Sequence, residues 1–128
     1  LTLTLSEKKF SELVSWIEQQ KREYSMNVFN LGLISEGEIQ DLYLNATALI
    51  FPSTLESFGI PLIEARDAGL VIVASELDYV RDIVDPEFTF DPVSPLSIAR
   101  AVKRFLGEKE ETLRLLDARG FLDTVFKD

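Results

Sequence analysis

Apolar residues recur along this chain in two alternating patterns, short runs and helical spacing. Residues 1–5, LTLTL, alternate apolar and β-prone side chains, and this period of two predicts a strand. Four later runs predict further strands: NVFNLG at 27–32, ALIFP at 48–52, VIVAS at 71–75 and FTF at 88–90. Apolar strands that alternate with helices indicate a parallel sheet covered on both faces. The predicted fold is therefore a doubly wound, Rossmann-like α/β domain.

Segments with helical spacing separate these strands. The first predicted helix has its N-cap at Ser6 and ends near Tyr24, and the second begins at a capping box formed by Ser35 and Glu38. The third begins at Pro61 and ends just before Gly69. The fourth begins at Ser94–Pro95, and the last extends from about Glu108 to Ala118. The predicted inward positions are Phe10, Leu13, Val14 and Ile17 in the first helix, Ile39, Leu42, Tyr43 and Ala46 in the second, and Ile98, Val102, Phe105 and Leu106 in the fourth.

Composition narrows the chemistry that the chain can perform. Its 128 residues fit one domain, and 46% apolar residues suffice to bury a core. The chain contains no Cys and no His, which excludes disulfides, thiolate nucleophiles, Cys-ligated zinc and Ser-His-Asp catalysis. A net charge of −9 argues against a nucleic-acid partner. No apolar run approaches the roughly 20 residues that span a bilayer, and no signal peptide is recognisable, so the expected location is cytoplasmic.

The stretch TLESFGIPLIEARDAG, residues 54–69, combines two acids with a Phe-Gly pair and a helix start. It follows the carboxyl end of a predicted strand, which is where open α/β sheets bind ligands. A helix N-terminus offers N–H groups to a phosphate, Gly59 allows close approach to the backbone, and carboxylates accept hydrogen bonds from sugar hydroxyls. These residues alone equally fit a turn and a helix whose acids serve capping or the surface.

A wider pattern around this stretch resembles a known family. Residues 51–75, FPSTLESFGIPLIEARDAGLVIVAS, are similar to the signature of the retaining nucleotide-sugar glycosyltransferases of GT-B architecture, the glycosyl transferases of group 1. The positions in register are Pro52, Ser53, Glu56, Phe58, Gly59, Pro61, Glu64, Ala65, Gly69, Ala74 and Ser75. The flanking segments GLISEGEIQDLYLNA and FDPVSPLSIARAVKRFL also resemble the family, so the likeness covers about residues 27–106.

The resemblance implies that residues 1–128 are a partial nucleotide-sugar (donor) domain, the C-terminal half of a GT-B fold without its acceptor domain. By position, Glu64 would bind the donor ribose, and Glu56, the catalytic residue, would contact the transferred sugar. The backbone N–H groups around Phe58, Gly59 and Ile60 would bind the sugar or diphosphate, and Ser57 is also assigned to donor binding. The apolar Phe58 itself is expected to be a core side chain that contributes only its backbone to a ligand. Leu33, beside Gly32 and Ile34, would lie against the nucleobase, although packing explains it equally well. The family needs no metal or cofactor beyond the nucleotide-sugar substrate.

The chain departs from the family pattern at its beginning. The family's first strand, the Gly-Arg turn after it and the following Lys have no counterpart here, and LTLTL resembles the second strand. Because that Arg and Lys stabilise the leaving diphosphate, we expect the 128-residue chain alone to transfer no sugar. The absent strand is central in the family's sheet, so we also expect a gap or exposed strand edges, which tend to pair with another chain.

Two other classes of protein remain as alternatives. In a non-catalytic α/β binding or receiver-like module, the same acids would be ordinary surface residues. A receiver domain, however, has clustered acids at the end of its first strand and a Lys near the end of a later strand, and this sequence shows neither. A nucleotide-sugar epimerase would be expected to use histidines, which this chain lacks. The whole protein is expected in polysaccharide or glycan biosynthesis, in the cytoplasm or peripherally at the inner membrane face. The donor base, the sugar and the acceptor stay open.

Overall fold

The computed structural model describes residues 1–108 of the chain. Within it the chain divides into two compact units, Leu1–Ala46 and a second unit that begins at Thr47. The helix predicted from about Glu108 to Ala118 lies outside the described residues apart from its first position.

The first unit contains two strands and two helices in alternation. In chain order these are β1 (Thr2–Leu3), α1 (Ser11–Glu23), β2 (Phe29–Asn30) and α2 (Glu36–Asn45). The strands pair in parallel with Thr2 opposite Phe29 and Leu3 opposite Asn30. The Asn30 side chain extends this pairing, because its Oδ1 accepts from the Leu5 N–H at 2.8 Å and its Nδ2 donates to the Leu5 carbonyl at 3.1 Å.

The second unit contains three strands and three helices. They are β3 (Ala48–Phe51), α3 (Ile60–Asp67), β4 (Val71–Ser75), α4 (Asp78–Arg81), β5 (Phe88–Phe90) and α5 (Pro95–Phe105). The strands form one parallel sheet in the order β3-β4-β5. All three carboxyl ends therefore lie at the same edge of the sheet, and the loops that follow them share that edge.

Helices cover both faces of this sheet. On one face Val73 and Phe90 pack with Ala101 of α5, and Ile98 and Phe105 of the same helix border this cluster. Side chains alternate across a strand, so Ile72 and Ala74 point to the opposite face, where α3 packs on β3 and β4. Both sets are buried, since Val73 is 0% and Ile72 is 3% exposed. The predicted α/β fold of parallel strands with helices on both sides is confirmed.

Helix ends show where local sequence decides the structure. The capping box at the start of α2 forms as predicted, because the Ser35 hydroxyl accepts from the Glu38 N–H and the Glu38 carboxylate accepts from the Ser35 N–H. Ser94 caps α5 by accepting from the Ser97 N–H. Gly69 follows α3 with a φ of +74° and closes the helix by donating to the Arg66 carbonyl.

Several sequence-based predictions differ from the structure. Phe10 and Leu13, two of the apolar positions predicted to face inward from the first helix, are exposed. Ser6 does not cap α1; its carbonyl closes a turn by accepting from the N–H groups of Lys9 and Phe10, and the helix begins only at Ser11. Leu106 does not face inward but is 61% exposed, because the helix has ended at Phe105 and Leu106 is its C-cap. The helix α4 was not predicted at all.

The five described strands form two separate sheets, β1-β2 and β3-β4-β5, instead of one. In each sheet the outermost strands keep one edge that no strand among residues 1–108 pairs. The self-association expected from such edges stays a prediction. None of the helices within the described residues is long and apolar enough to cross a membrane.

Candidate active site

The loop between β3 and α3 carries most of the predicted site. It leaves the carboxyl end of β3 at Pro52 and enters α3 at Ile60. Its first part is held to β4 and α4: the buried Ser75 hydroxyl donates to the Phe51 carbonyl at 3.3 Å, and the Tyr79 hydroxyl donates to the Ser53 carbonyl at 2.8 Å. The start of the loop is therefore held by one side chain at the end of β4, Ser75, and one from α4, Tyr79.

Glu56 lies in the exposed middle of this loop. The Ser53 hydroxyl donates to the Leu55 carbonyl at 3.1 Å and lies 3.5 Å from Glu56 Oε1. The second distance is at the limit of a hydrogen bond, so the Leu55 carbonyl is the main acceptor. The Glu56 carboxylate consequently keeps its lone pairs available for a ligand hydroxyl.

The start of α3 presents unpaired backbone donors. Gly59 is the N-cap residue with a φ of +57°, and its carbonyl accepts from the N–H groups of Leu62 and Ile63. Within residues 1–108, no protein group accepts from the N–H groups of Phe58, Gly59 or Ile60. Such a group of donors at a helix start suits an anionic or strongly polar ligand.

The reason for glycine at position 59 differs from the one expected. Gly59 is buried, and a Cβ placed there would lie 2.5 Å from Cδ1 of Ile83. Its φ of +57° also disfavours any side chain. Internal packing and backbone conformation therefore account for this glycine without any ligand approaching its α-carbon.

The position of the Phe58 side chain differs from the sequence-based prediction. Its side chain is 76% exposed and is not part of the core. The neighbouring Ser57 is exposed as well, and Ile60 is 56% exposed. The core position beside the loop is occupied instead by Leu62, which follows Pro61 and is 0% exposed.

Glu64 lies on α3 and is exposed to solvent. The helix begins at Ile60, one residue earlier than predicted, and its first turn contains no acid. The helix dipole acts mainly on the first turn, so it stabilises the Glu64 charge little. Glu56 and Glu64 nevertheless belong to one continuous segment, the loop and the helix that follows it.

Leu33 belongs to the first unit, separate from the other predicted site residues. It is 82% exposed in the loop between β2 and α2, next to Gly32 with its φ of +71°. Leu31 and Ile34 line a groove beside α2 with Leu42, and this groove has the polar side chains Glu38, Asp41 and Asn45 on its rim.

Sequence reasoning missed the residues after β4 that support the loop. Besides Tyr79, they include Arg81, whose guanidinium donates to both carboxylate oxygens of Glu76 at 2.9 and 2.7 Å and also binds Asp85. Hydrogen bonds from Arg81 and then Thr89 lower the pKa of Glu76 to about 2. The sequence signal for this ion pair lies in residues 76–82, ELDYVRD, where Glu76 and Arg81 are five residues apart. The helix α4 itself is too short to show a hydrophobic period.

Comparison with known proteins identifies the family. The family model described as glycosyl transferases group 1 matches residues 7–119, most of the chain. This chain belongs to the glycosyl transferases group 1 family. The match begins at residue 7, after β1, and includes the rest of the first unit and the whole segment from β3 to β4 that carries Glu56 and Glu64.

Several curated relatives are glycosyltransferases by name. The serotype-specific mannosyltransferase WbdA of Escherichia coli is 32% identical over 90 residues, which are 70% of this chain and 11% of WbdA. The uncharacterized glycosyltransferase MJ1607 of Methanocaldococcus jannaschii is 33% identical over 61% of this chain and 21% of its own length. The O-antigen chain mannosyltransferase B of Escherichia coli is 32% identical over 48% of this chain and 16% of its own length. The chain thus spans about a tenth to a fifth of these relatives.

The described part of this glycosyl transferases group 1 chain offers no cluster of acids for a metal ion. Residues 1–108 contain no group of three or more Asp and Glu side chains arranged to hold a metal. The expectation that no metal is needed stays a prediction.

Proposed function

We propose that this chain is the donor-binding part of a retaining glycosyltransferase of GT-B architecture, which transfers a sugar from a nucleotide-diphosphate sugar. The observation that carries the proposal is the segment from Glu56 to Glu64. It joins an exposed acid, three unpaired N–H groups and a second exposed acid at the carboxyl edge of a parallel sheet. The family match over residues 7–119 supports the same assignment.

Each part of the segment suits one part of the donor. The N–H groups of Phe58, Gly59 and Ile60 can donate to the diphosphate or to sugar oxygens. A carboxylate accepts hydrogen bonds from vicinal hydroxyls, so Glu64 binds the ribose and Glu56 the hydroxyls of the transferred sugar. Ser57 contributes its backbone between them.

The nucleobase role of Leu33 rests on the loop of the first unit alone. An 82% exposed leucine costs free energy unless it is covered, and a planar base is a suitable cover. The groove floor of Leu31 and Ile34 provides further apolar surface in the same loop.

The names of the relatives indicate the biological setting that we propose. Two of them are mannosyltransferases of Escherichia coli, and one of these names refers to the O-antigen chain. We therefore propose that the protein carrying this chain acts in polysaccharide biosynthesis, and that a nucleotide-diphosphate mannose is the first donor to test.

Replacement of Glu64 tests donor binding directly. We expect Glu64→Gln to weaken binding of GDP-mannose, UDP-glucose or ADP-glucose, whichever binds the parent chain, by about 5- to 30-fold, because one or two hydrogen bonds to a charged acceptor are replaced by weaker ones. Isothermal titration calorimetry on the parent and the variant measures the change. Glu23→Gln, an exposed acid at the end of α1, is the matched control and should bind like the parent.

The possible results separate the roles. Equal affinity of Glu64→Gln and the parent would remove the ribose role from Glu64. Weak binding in both the Glu64 and the Glu23 variants would indicate a general charge effect. If neither the 128-residue chain nor the full-length protein binds any of the three nucleotide sugars, the donor-binding proposal is wrong.

A further inference from the structure

The Glu56 loop is the segment 52–59 between β3 and α3. Both of its ends contact one short segment, Asp78–Ile83, which consists of α4 and the two residues after it. At the first end, Tyr79 donates its hydroxyl to the Ser53 carbonyl at 2.8 Å. At the second end, Ile83 fills the space beside the α-carbon of Gly59. Tyr79 and Ile83 are four residues apart, so one face of this helical turn meets both ends of the loop.

The loop depends on these contacts because its own backbone provides little support. Hydrogen bonds to the described residues 52–58 come from the hydroxyls of Tyr79 and Ser53, and the next backbone bonds begin at Gly59. The Ser53 hydroxyl in turn donates to the carbonyl of Leu55, the residue immediately before Glu56, and so restrains the backbone at that point. A loop with so few internal bonds samples several conformations unless its ends are held.

The segment that holds the loop is itself fixed. Arg81 joins Glu76, at the end of β4, to Asp85, two residues beyond Ile83. Arg66 of α3 donates to the Ile83 carbonyl at 3.3 Å. Val80 and Val84, the neighbours of this face, are 0% and 6% exposed. A rigid support of this kind is what a precisely placed functional group requires.

We propose that Tyr79 is a positioning residue for Glu56, acting through the Ser53 backbone. The inference rests on the proposed function of the loop and extends it to a residue outside the family motif quoted above. The Tyr79 hydroxyl sets where the loop leaves the sheet, and Ile83 sets where it enters α3. Glu64, on the helix, does not depend on the tyrosine hydroxyl.

The test compares Tyr79→Phe with Tyr24→Phe, a control that removes a hydroxyl from a 64% exposed tyrosine of the first unit. In the 128-residue chain, the ¹⁵N heteronuclear NOE of Glu56, Ser57 and Phe58 should fall in Tyr79→Phe and stay unchanged in Tyr24→Phe. In the full-length protein, Tyr79→Phe should lower kcat about tenfold, since a small displacement of a catalytic group costs that much or more. KM for the donor should change less than threefold.

Each result decides the inference. An unchanged NOE in Tyr79→Phe overturns it, whatever the activity. A lowered NOE with an unchanged kcat shows that the bond orders the loop without serving the reaction, and also overturns it. If the parent protein neither binds nor transfers a nucleotide sugar, the proposed function fails, while the NOE comparison still decides whether Tyr79 holds the loop.

Discussion

At the scale of single residues, the guanidinium of Arg81 binds both carboxylate oxygens of Glu76 in an ion pair. The pKa of Glu76 falls to about 2 because its carboxylate accepts hydrogen bonds from Arg81 and Thr89. A carboxyl group with a lowered pKa in the folded state stabilises that state above the pKa of the unfolded chain. The stabilisation is lost as the pH falls through the folded value.

This linkage predicts an acid-dependent difference between the parent and Glu76→Gln. The parent should be the more stable chain at pH 7, and the difference in free energy of unfolding should shrink between about pH 4.5 and pH 2. Urea unfolding at several pH values measures it. An exposed-acid variant such as Glu23→Gln should follow the parent over the whole range. A difference between the parent and Glu76→Gln that stays constant from pH 7 to pH 2 would contradict the assignment.

Single residues also mark the limit of what the sequence predicts. Glu56 and Glu64 were found as exposed acids on a loop and on the helix after it, because motif spacing fixes positions along the chain. Phe58 was placed in the core by its apolar character, yet it is 76% exposed. The contact between Gly59 and Ile83 joins residues 24 positions apart in sequence, and no local pattern reveals it.

At the scale of secondary-structure elements, local signals predicted helices best where a side chain bonds to the backbone. Ser35 and Ser94 both cap the helices assigned to them. Ser6 has the same chemistry but bonds within a preceding turn, since its hydroxyl accepts from Lys9 and the chain turns again before Ser11. The four residues of α4 are held by the tertiary hydrogen bond of Tyr79 to Ser53 and by the local ion pairs of Arg81 with Glu76 and Asp85, and a hydrophobic period reveals neither.

The α2 capping box allows a quantitative prediction. We expect Ser35→Ala to destabilise α2 by about 1 kcal/mol, because the helix loses the side-chain acceptor for the Glu38 N–H and the partner that orients the Glu38 carboxylate. Hydrogen exchange of the α2 amides measures this local free energy. Ser15→Ala, on the exposed surface of α1, changes the same side chain without removing a cap and should leave α2 exchange unchanged. Equal exchange in all three chains would show that the box contributes nothing.

At the scale of the whole molecule, the chain matches only a small share of the length of its relatives. It spans 11% of WbdA and 21% of MJ1607 over the matched regions. A sugar transfer needs protein cations or hydrogen-bond donors that stabilise the leaving diphosphate as the glycosidic bond breaks. The arginines on the two helices beside the loop are already engaged, Arg66 with Asp67 and the Ile83 carbonyl and Arg81 with Glu76 and Asp85.

We therefore propose that the 128-residue chain binds a donor but transfers no sugar by itself. Incubation with a radiolabelled nucleotide-diphosphate mannose and an excess of acceptor glycan should release no more sugar than a control without protein. Glu56→Gln serves as the matched variant, because activity that survives this substitution belongs to a contaminant. Release above the control that Glu56→Gln abolishes would contradict the proposal.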